Sequence, residues 1–210
     1  MIMGGSAIKD FKTVRIDRLN MEYTLGILSM ALYDNLRWYN QNKERYRIEF
    51  IKFYDEKTSF GDCDLIGNVS YDLFEDKLKN REDVEILGVV RNGDVSSYAM
   101  KFKILGQWNN PFQVDYIYVN PSEYDFAVNY YAYNDLGNML GRIAAAFGYK
   151  LGHNGLFLKQ WFDSKGNPVN VTQVKSEGVS DNACIKMERL VISDFNEALK
   201  FLGYSPSRYV

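Results

Sequence analysis

The sequence predicts an α+β protein in which a mixed β-sheet carries helices on one face and a small C-terminal α/β lobe follows. Apolar side chains recur at helical spacing after Asn20 and again after Ser70, and each of these residues is interpreted as a helix N-cap. Residues 46–54 alternate in the manner of a half-buried strand. Asn92-Gly93 lies between two apolar runs, which is a strong signal for a β-hairpin.

The predicted elements follow one another in an order that suits a mixed sheet. The strand at residues 46–54 comes first, and the strand of Asp62 and Asp64, a helix, the hairpin and the strand of Asp115 follow it. Helices can then cover one face of the sheet. We therefore expect residues 1–135 to form one core.

The remainder of the chain has a different pattern of elements. A helix that ends at Gly148, two strands around a turn and a further strand precede a final helix, which Ser193 is predicted to cap. Residues 136–210 are therefore interpreted as a helix-hairpin-helix lobe that packs on the core.

Composition argues against several classes of protein. With 210 residues, of which 46% are hydrophobic and 25% charged, the chain is of an ordinary globular type. A net charge of -2 argues against a broadly basic nucleic-acid-binding surface, although a local basic groove is compatible with it. The two cysteines, Cys63 and Cys184, lie too far apart for a disulfide framework, so a reducing cytoplasm is expected. No apolar run approaches the ~20 residues that cross a bilayer, and we expect no membrane partner.

Two carboxylates lie two residues apart in an otherwise apolar run. Side chains alternate between the faces of a strand, so Cys63 and Leu65 are predicted to face the core while Asp62 and Asp64 share the other face. Two like charges ~4 Å apart repel by about 4 kcal/mol at an effective dielectric of ~20. A divalent cation or a cationic partner would offset this repulsion. A solvent-facing strand edge is the alternative interpretation.

A single acid, Asp115, lies in another strand-forming run. If its strand neighbours the strand of Asp62 and Asp64, three carboxylates converge on one sheet face. Carboxylate oxygens are the ligands that Mg²⁺ prefers, so the sequence predicts a site for one or two such ions. Gly61, just before the first acid, would let a ligand approach the backbone closely; a plain turn glycine is the alternative.

The run Gly61-Asp62-Cys63-Asp64, followed by a helix, a hairpin and a strand with one Asp, resembles the DNA-polymerase-β-like nucleotidyltransferase superfamily. The likeness is greatest to small bacteriophage-type members with an SGDxD-like run, and it covers residues 44–120. The resemblance implies that Asp62 and Asp64 hold two ions of Mg²⁺ or Mn²⁺. It also implies that Asp115 holds the catalytic ion and helps to deprotonate an attacking hydroxyl.

The resemblance implies transfer of a nucleotide from an NTP to a hydroxyl of a nucleic acid, a protein or a small molecule. Ser59, Gly61, Lys57 and Lys103 are the predicted substrate-binding residues, and Lys57 is preferred among the lysines. The expected location is the cytoplasm, of a bacterial host if the chain is of phage origin.

Two alternatives stay open on the sequence. The family carries a Gly-Ser pair shortly before its first Asp, where it binds triphosphate, and residues 50–57 contain none. This departure favours a catalytically inactive nucleotidyltransferase-like module that binds a partner or nucleic acid. A metal-dependent nuclease could use the same three acids.

Other residues have open interpretations as well. Arg15 and Arg18 could reach a phosphate or be solvated charges before a helix. Tyr130, Tyr131 and Tyr133 could stack on a base or form a buried cluster.

Overall fold

The computed structural model describes residues 8–33, 46–133, 135–163, 165–169 and 185–208. The chain divides into two compact units, Met1–Tyr124 and Asp125–Val210. The sequence interpretation drew a division after residue 135. The described parts have the mixed α+β architecture that the sequence predicts. None of the helices in these parts is both long enough and apolar enough to span a bilayer.

Within its described residues, the first unit contains two α-helices and a six-stranded mixed sheet. Its elements are β1 (Ile16–Asp17), α1 (Arg18–Tyr33), β2 (Ile48–Phe50), β3 (Ser59–Phe60), β4 (Asp62–Gly67), α2 (Tyr71–Lys79), β5 (Val84–Asn92), β6 (Val95–Ile104), β7 (Gln107–Trp108) and β8 (Phe112–Tyr118). The strand order is β2-β4-β8-β6-β5, with β7 beside β6. Strands β4 and β8 run parallel and the other neighbours antiparallel. β1 and β3 form a separate antiparallel pair.

Local sequence signals explain where these elements begin and turn. The hydroxyl of Ser70 accepts a hydrogen bond from the backbone N–H of Leu73 at 3.4 Å, which confirms Ser70 as the cap of α2. Gly93 adopts a φ of 60° in the predicted hairpin turn between β5 and β6. The predicted Asn20 cap of α1 is wrong, because the carboxylate of Asp17 accepts the N–H of Asn20 at 2.8 Å and the helix begins directly after Asp17.

Helices α1 and α2 contribute to one hydrophobic core on one face of the sheet. The buried residues of the core include Leu28, Leu32, Phe74 and Leu78 from the helices and Cys63, Leu65, Tyr98, Val114 and Tyr116 from the sheet. The ring of Phe74 stacks on that of Tyr116 with centroids 4.2 Å apart. The Tyr116 hydroxyl donates to the Val69 carbonyl at 2.7 Å and accepts the Val69 N–H at 3.1 Å. The strand β8 therefore anchors the loop before α2.

The second unit has its own sheet and its own core. Its elements are α3 (Tyr124–Tyr131, which begins at the last residue of the first unit), α4 (Leu136–Ala146), β9 (Tyr149–Gly152), β10 (Gly155–Phe162), β11 (Pro168–Val169), β12 (Ile185–Ile192) and α5 (Phe195–Phe201). β10 pairs antiparallel with β9, β11 and β12. The core includes Phe126, Leu140, Ala144, Leu151, Leu156, Phe195 and Leu199.

The ends of two helices in this unit compare differently with the sequence predictions. Helix α4 ends just before Gly148, which has a φ of 81°, as predicted. Ser193 is not the cap of α5. The carboxylate of the next residue, Asp194, accepts the backbone N–H of Glu197 at 2.9 Å.

Candidate metal centre

The register of β4 and β8 brings the three predicted acids together. Asp64 lies opposite Asp115 in the parallel pair, and Asp62 lies opposite Gln113. Each of the three aspartates offers a carboxylate oxygen, and these oxygens all lie within 4.8 Å of one another. On the other face of β4, Cys63 and Leu65 are buried in the core at 1% and 0% exposure. The face assignment that alternation predicts for these residues is therefore confirmed.

This group of carboxylates, the aspartate trio of Asp62, Asp64 and Asp115, fits the requirements of a divalent cation. All three side chains are partly buried, so water screens their mutual repulsion poorly. Oxygen ligands from two adjacent strands are held by backbone hydrogen bonds rather than by a loose loop. The trio could therefore hold a metal ion.

Asp64 shows the electrostatic consequence of this crowding most strongly. Burial, followed by the charges of Asp62 and Asp115, raises the pKa of Asp64 from 3.8 to about 8. The positive charge of Lys57 opposes this rise. At neutral pH the side chain therefore holds a proton unless a cation takes its place.

Asp115 is held more firmly by its neighbours. Burial raises its pKa from 3.8 to about 6, and hydrogen bonds from Ser97 and Gln113 lower the pKa against this effect. The side-chain amide of Gln113 donates to both carboxylate oxygens, at 3.0 Å to each. These hydrogen bonds favour the carboxylate form of Asp115 and fix the direction in which it points.

The thiol of Cys63 lies between the two acids of β4 but on the core side. Burial, followed by the charges of Asp64, Asp62 and Asp115, raises its pKa well above the ordinary value. The thiol therefore stays protonated, and a protonated thiol is neither a nucleophile nor a good metal ligand.

Two arginines hold the loop that leads to the trio. Arg15 donates to the hydroxyl of Ser59 at 3.0 Å and to its carbonyl at 2.9 Å. Arg18 donates to the carbonyl of Lys57 at 3.3 Å and also to the carbonyl of Asp55. In this structure both guanidinium groups therefore bind the loop of residues 55–59, and the β1–β3 pairing adds to this support.

The loop places Lys57 near the trio. Its ammonium nitrogen lies 5.0 Å from the ring centroid of Phe60, and its charge lowers the pKa of Asp64. Ser59 is exposed, and Gly61 is buried immediately before Asp62. Three of the four predicted substrate-binding residues are thus close to the trio along the chain.

Lys103 lies elsewhere on the sheet. Ser97 is the residue of β6 opposite Asp115, and Lys103 follows it by six positions near the far end of the strand. At a rise of ~3.3 Å per residue this separates the two positions by about 20 Å. The structure does not bring Lys103 to the trio.

Sequence reasoning missed the two residues that bind Asp115. Gln113 precedes Asp115 by two positions, so strand alternation alone places both on one face, and this signal was available. Ser97 lies on β6, and only the pairing of β6 with β8 shows that it meets Asp115. Gln113 and Ser97 are buried, at 1% and 5% exposure.

Two of the tyrosines considered for base stacking, Tyr130 and Tyr131, lie in an aromatic cluster of the second unit. Tyr131 is buried, and its ring contacts Tyr130 at 5.3 Å and His153 at 5.8 Å between centroids. Tyr133 follows with a φ of 60°. Burial of the Tyr131 ring favours the interpretation as a packed cluster.

The sequence matches no protein-family model and none of the curated proteins with which it was compared. The geometry and chemistry of the trio therefore carry the functional conclusion.

Proposed function

We propose that this protein is a metal-dependent nucleotidyltransferase that moves a nucleotide from an NTP to a hydroxyl acceptor. The single observation that carries the proposal is the convergence of Asp62, Asp64 and Asp115 from two adjacent parallel strands. Three carboxylates on one partly buried surface repel one another, and this repulsion is relieved when a cation binds. The arrangement suits chemistry on a polyanionic substrate that brings its own divalent cations.

Asp62, Asp64 and Asp115 would hold two ions of Mg²⁺ or Mn²⁺. Bound there, the ions supply neutralisation of triphosphate charge and a lower pKa for the acceptor hydroxyl. The strands contribute rigid placement of the carboxylates, which is the chief protein contribution to phosphoryl transfer.

The reaction exchanges one phosphorus–oxygen bond for another. The acceptor oxygen forms a bond to the α-phosphorus, while the bond from that phosphorus to the oxygen of the leaving pyrophosphate breaks and its electron pair leaves with pyrophosphate. A carboxylate oxygen of Asp115 takes the hydroxyl proton. Gln113 and Ser97 hold that carboxylate in place and favour its ionised form before the proton arrives.

The triphosphate would lie along the loop that Arg15 and Arg18 support. Lys57 supplies a positive charge on this loop, Ser59 supplies a hydroxyl, and Gly61 allows close approach to the backbone. These roles follow from the position of the loop beside the trio.

A second candidate is a catalytically inactive module that keeps the fold and binds a partner or nucleic acid. It is favoured by the engagement of both arginines with the loop backbone, together with the absence of a Gly-Ser pair from residues 50–57. A triphosphate would then meet fewer donors than nucleotidyl transfer requires.

The deciding experiment measures binding of labelled ATP, GTP, CTP and UTP with Mn²⁺, and pyrophosphate release in the presence of DNA, RNA and small hydroxyl acceptors. The test variant is Asp62→Asn/Asp64→Asn. A matched control is Asp72→Asn/Asp76→Asn, which removes two exposed acids from α2. We expect metal-dependent binding and pyrophosphate release in the wild type and the control, and neither in the test variant.

The other outcomes separate the alternatives. Binding of no nucleotide with any divalent cation would reject the proposal and favour the inactive module. Breakdown of labelled DNA or RNA without added NTP, lost in the Asp62→Asn/Asp64→Asn variant, would instead identify a nuclease.

A further inference from the structure

Gln113 is a buried polar side chain whose amide nitrogen donates to the carboxylate of Asp115. It lies in the middle of the sheet, opposite Asp62 on β4 and Ala99 on β6, and is 1% exposed. A buried amide is costly unless it is hydrogen-bonded. Its nitrogen donates to Oδ1 and Oδ2 of Asp115 at 3.0 Å each.

The equal distances place the amide nitrogen between the two oxygens of Asp115. The lone pairs that converge in this region are the ones that a carboxylate uses to chelate a single cation with both oxygens. Because the Gln113 N–H groups occupy this region, the outward lone pairs are the ones left for a cation. One of the Asp115 oxygens lies within 4.8 Å of oxygens of both Asp62 and Asp64.

Divalent cations differ in whether they need a chelating carboxylate. Mg²⁺ takes near-octahedral coordination and is bound by one oxygen per carboxylate, whereas Ca²⁺ takes six to eight oxygens and readily accepts both oxygens of one carboxylate. Mn²⁺ follows Mg²⁺ in its preference for octahedral oxygen sites. A carboxylate restricted to one oxygen therefore disfavours Ca²⁺.

We propose that Gln113 is a positioning residue that restricts Asp115 to one-oxygen coordination and thereby selects Mg²⁺ and Mn²⁺ over Ca²⁺. This inference rests on the metal site of the proposed function and assigns it a selectivity device. Ser97 also hydrogen-bonds Asp115, but it comes from the neighbouring strand β6 rather than from the strand of Asp115 itself.

The test compares dissociation constants for Mn²⁺ and Ca²⁺, measured by titration calorimetry on the full chain without nucleotide. Gln113→Met keeps the length of the side chain and removes the donor. We expect Mn²⁺ affinity to fall about 10- to 100-fold, as for other residues that orient metal ligands. Ca²⁺ affinity should fall less, because the freed carboxylate can chelate it. Gln107→Met, an exposed substitution on β7, is the matched control and should change neither affinity.

Two further variants keep the test informative if Gln113→Met folds poorly. Gln113→Asn keeps an amide but is one methylene too short to reach Asp115, so it should shift the Mn²⁺-to-Ca²⁺ ratio in the same direction. Ser97→Ala removes a hydrogen bond but leaves the Gln113 amide in place, so it should leave that ratio unchanged. Circular dichroism verifies that each variant is folded.

The outcomes distinguish this inference from the proposed function. Unchanged Mn²⁺ affinity in the Gln113 variants, or equal losses for both cations, would overturn the role of Gln113 and leave nucleotidyl transfer intact. The expected ratio shift in a protein that binds no nucleotide would support Gln113 and reject the proposed function. A wild type that binds neither cation would overturn both.

Discussion

Around the trio, the two faces of strands β4 and β8 hold different kinds of side chain. On the core face, Leu65 is fully buried and Tyr116 stacks on Phe74 from α2. On the other face, Asp64 and Asp115 lie opposite each other with raised pKa values. In the same strands, Leu65 and Tyr116 therefore stabilise the fold, whereas the neighbouring Asp64 and Asp115 oppose it.

This contrast explains how the first unit tolerates its acidic face. Burial of aromatic rings on one side supplies favourable free energy that offsets the repulsion between carboxylates on the other. Because side chains alternate strictly, the two roles are separated without any interruption of the strands. If the faces are energetically independent, substitutions on one should leave the property of the other unchanged.

The largest expected effect lies on the core face. Phe74→Ala removes a fully buried ring that stacks on Tyr116, and should lower the free energy of unfolding by about 3–5 kcal/mol. Urea denaturation measures this loss, and Leu105→Ala, at a side chain that is 82% exposed, is the control. Mn²⁺ affinity of the folded protein should stay the same. A parallel loss of Mn²⁺ affinity would show that the faces are coupled.

The next effect lies on the acidic face and has the opposite sign. The ordinary pKa of an aspartate is 3.8, and that of Asp64 is about 8 in the folded protein. Between these values the folded state binds more protons than the unfolded state, so the free energy of unfolding falls as pH rises. Without a divalent cation, Asp64→Asn should therefore stabilise the protein at pH 8, by roughly 2–4 kcal/mol, and flatten its pH dependence.

Urea denaturation in EDTA at pH 5 and pH 8 measures this effect. Asp115 has a pKa of about 6, so it also lowers the free energy of unfolding as pH rises, over the lower part of this pH range. Asp76→Asn, on the exposed side of α2, is the control and should keep the wild-type pH dependence. An Asp64→Asn variant that is less stable than wild type at pH 8 would contradict the conclusion that the charge of Asp64 destabilises the folded protein.

A smaller effect is expected for the hydroxyl that links the core to the loop before α2. Tyr116→Phe keeps the stacked ring but removes both hydrogen bonds with Val69, and should destabilise the protein by about 1–3 kcal/mol. Faster hydrogen exchange at the Val69 amide would locate the loss. Tyr23→Phe, at an exposed position of α1, is the control. Unchanged exchange at Val69 would show that the ring alone anchors this loop.

The contrast between the faces was largely predictable from the sequence. Alternation separates Asp62 and Asp64 from Cys63 and Leu65, and the Asn92-Gly93 signal identifies the hairpin between β5 and β6. Both inferences depend on neighbours along the chain, where backbone geometry fixes the outcome.

What the sequence did not provide is the pairing of distant strands. The opposition of Asp64 and Asp115, the contact of Ser97 with Asp115 and the distance of Lys103 from the trio all depend on the order and register of β4, β8 and β6. Register follows from the packing of the whole sheet, and a motif in one strand does not contain it.

The predicted caps at Asn20 and Ser193 are wrong for a different reason. Asp17 competes with Asn20, and Asp194 competes with Ser193, and all four belong to residue types that cap helices well. The choice between them depends on the backbone direction at which the chain enters the helix. Asn68, two positions before Ser70, is also a good capping type, but its side-chain oxygen accepts the backbone N–H of Arg47 at 2.7 Å. Ser70 is confirmed as the cap of α2.

The smallest expected effect tests whether the charge of Lys57 belongs to the acidic face. The charge of Lys57 acts on Asp64, whose pKa it lowers. The same charge repels a cation at the trio, so Lys57→Met should let Mn²⁺ alone bind slightly more tightly. An NTP should bind about two- to fivefold more weakly, because a partly exposed ion pair contributes about 0.2–1 kcal/mol. Calorimetry with Mn²⁺ and then with ATP measures both. Tighter binding of Mn²⁺ together with weaker binding of the NTP would identify an electrostatic role, since general damage to the site would weaken the binding of both. Lys103→Met, about 20 Å along β6 from Ser97, should change neither affinity.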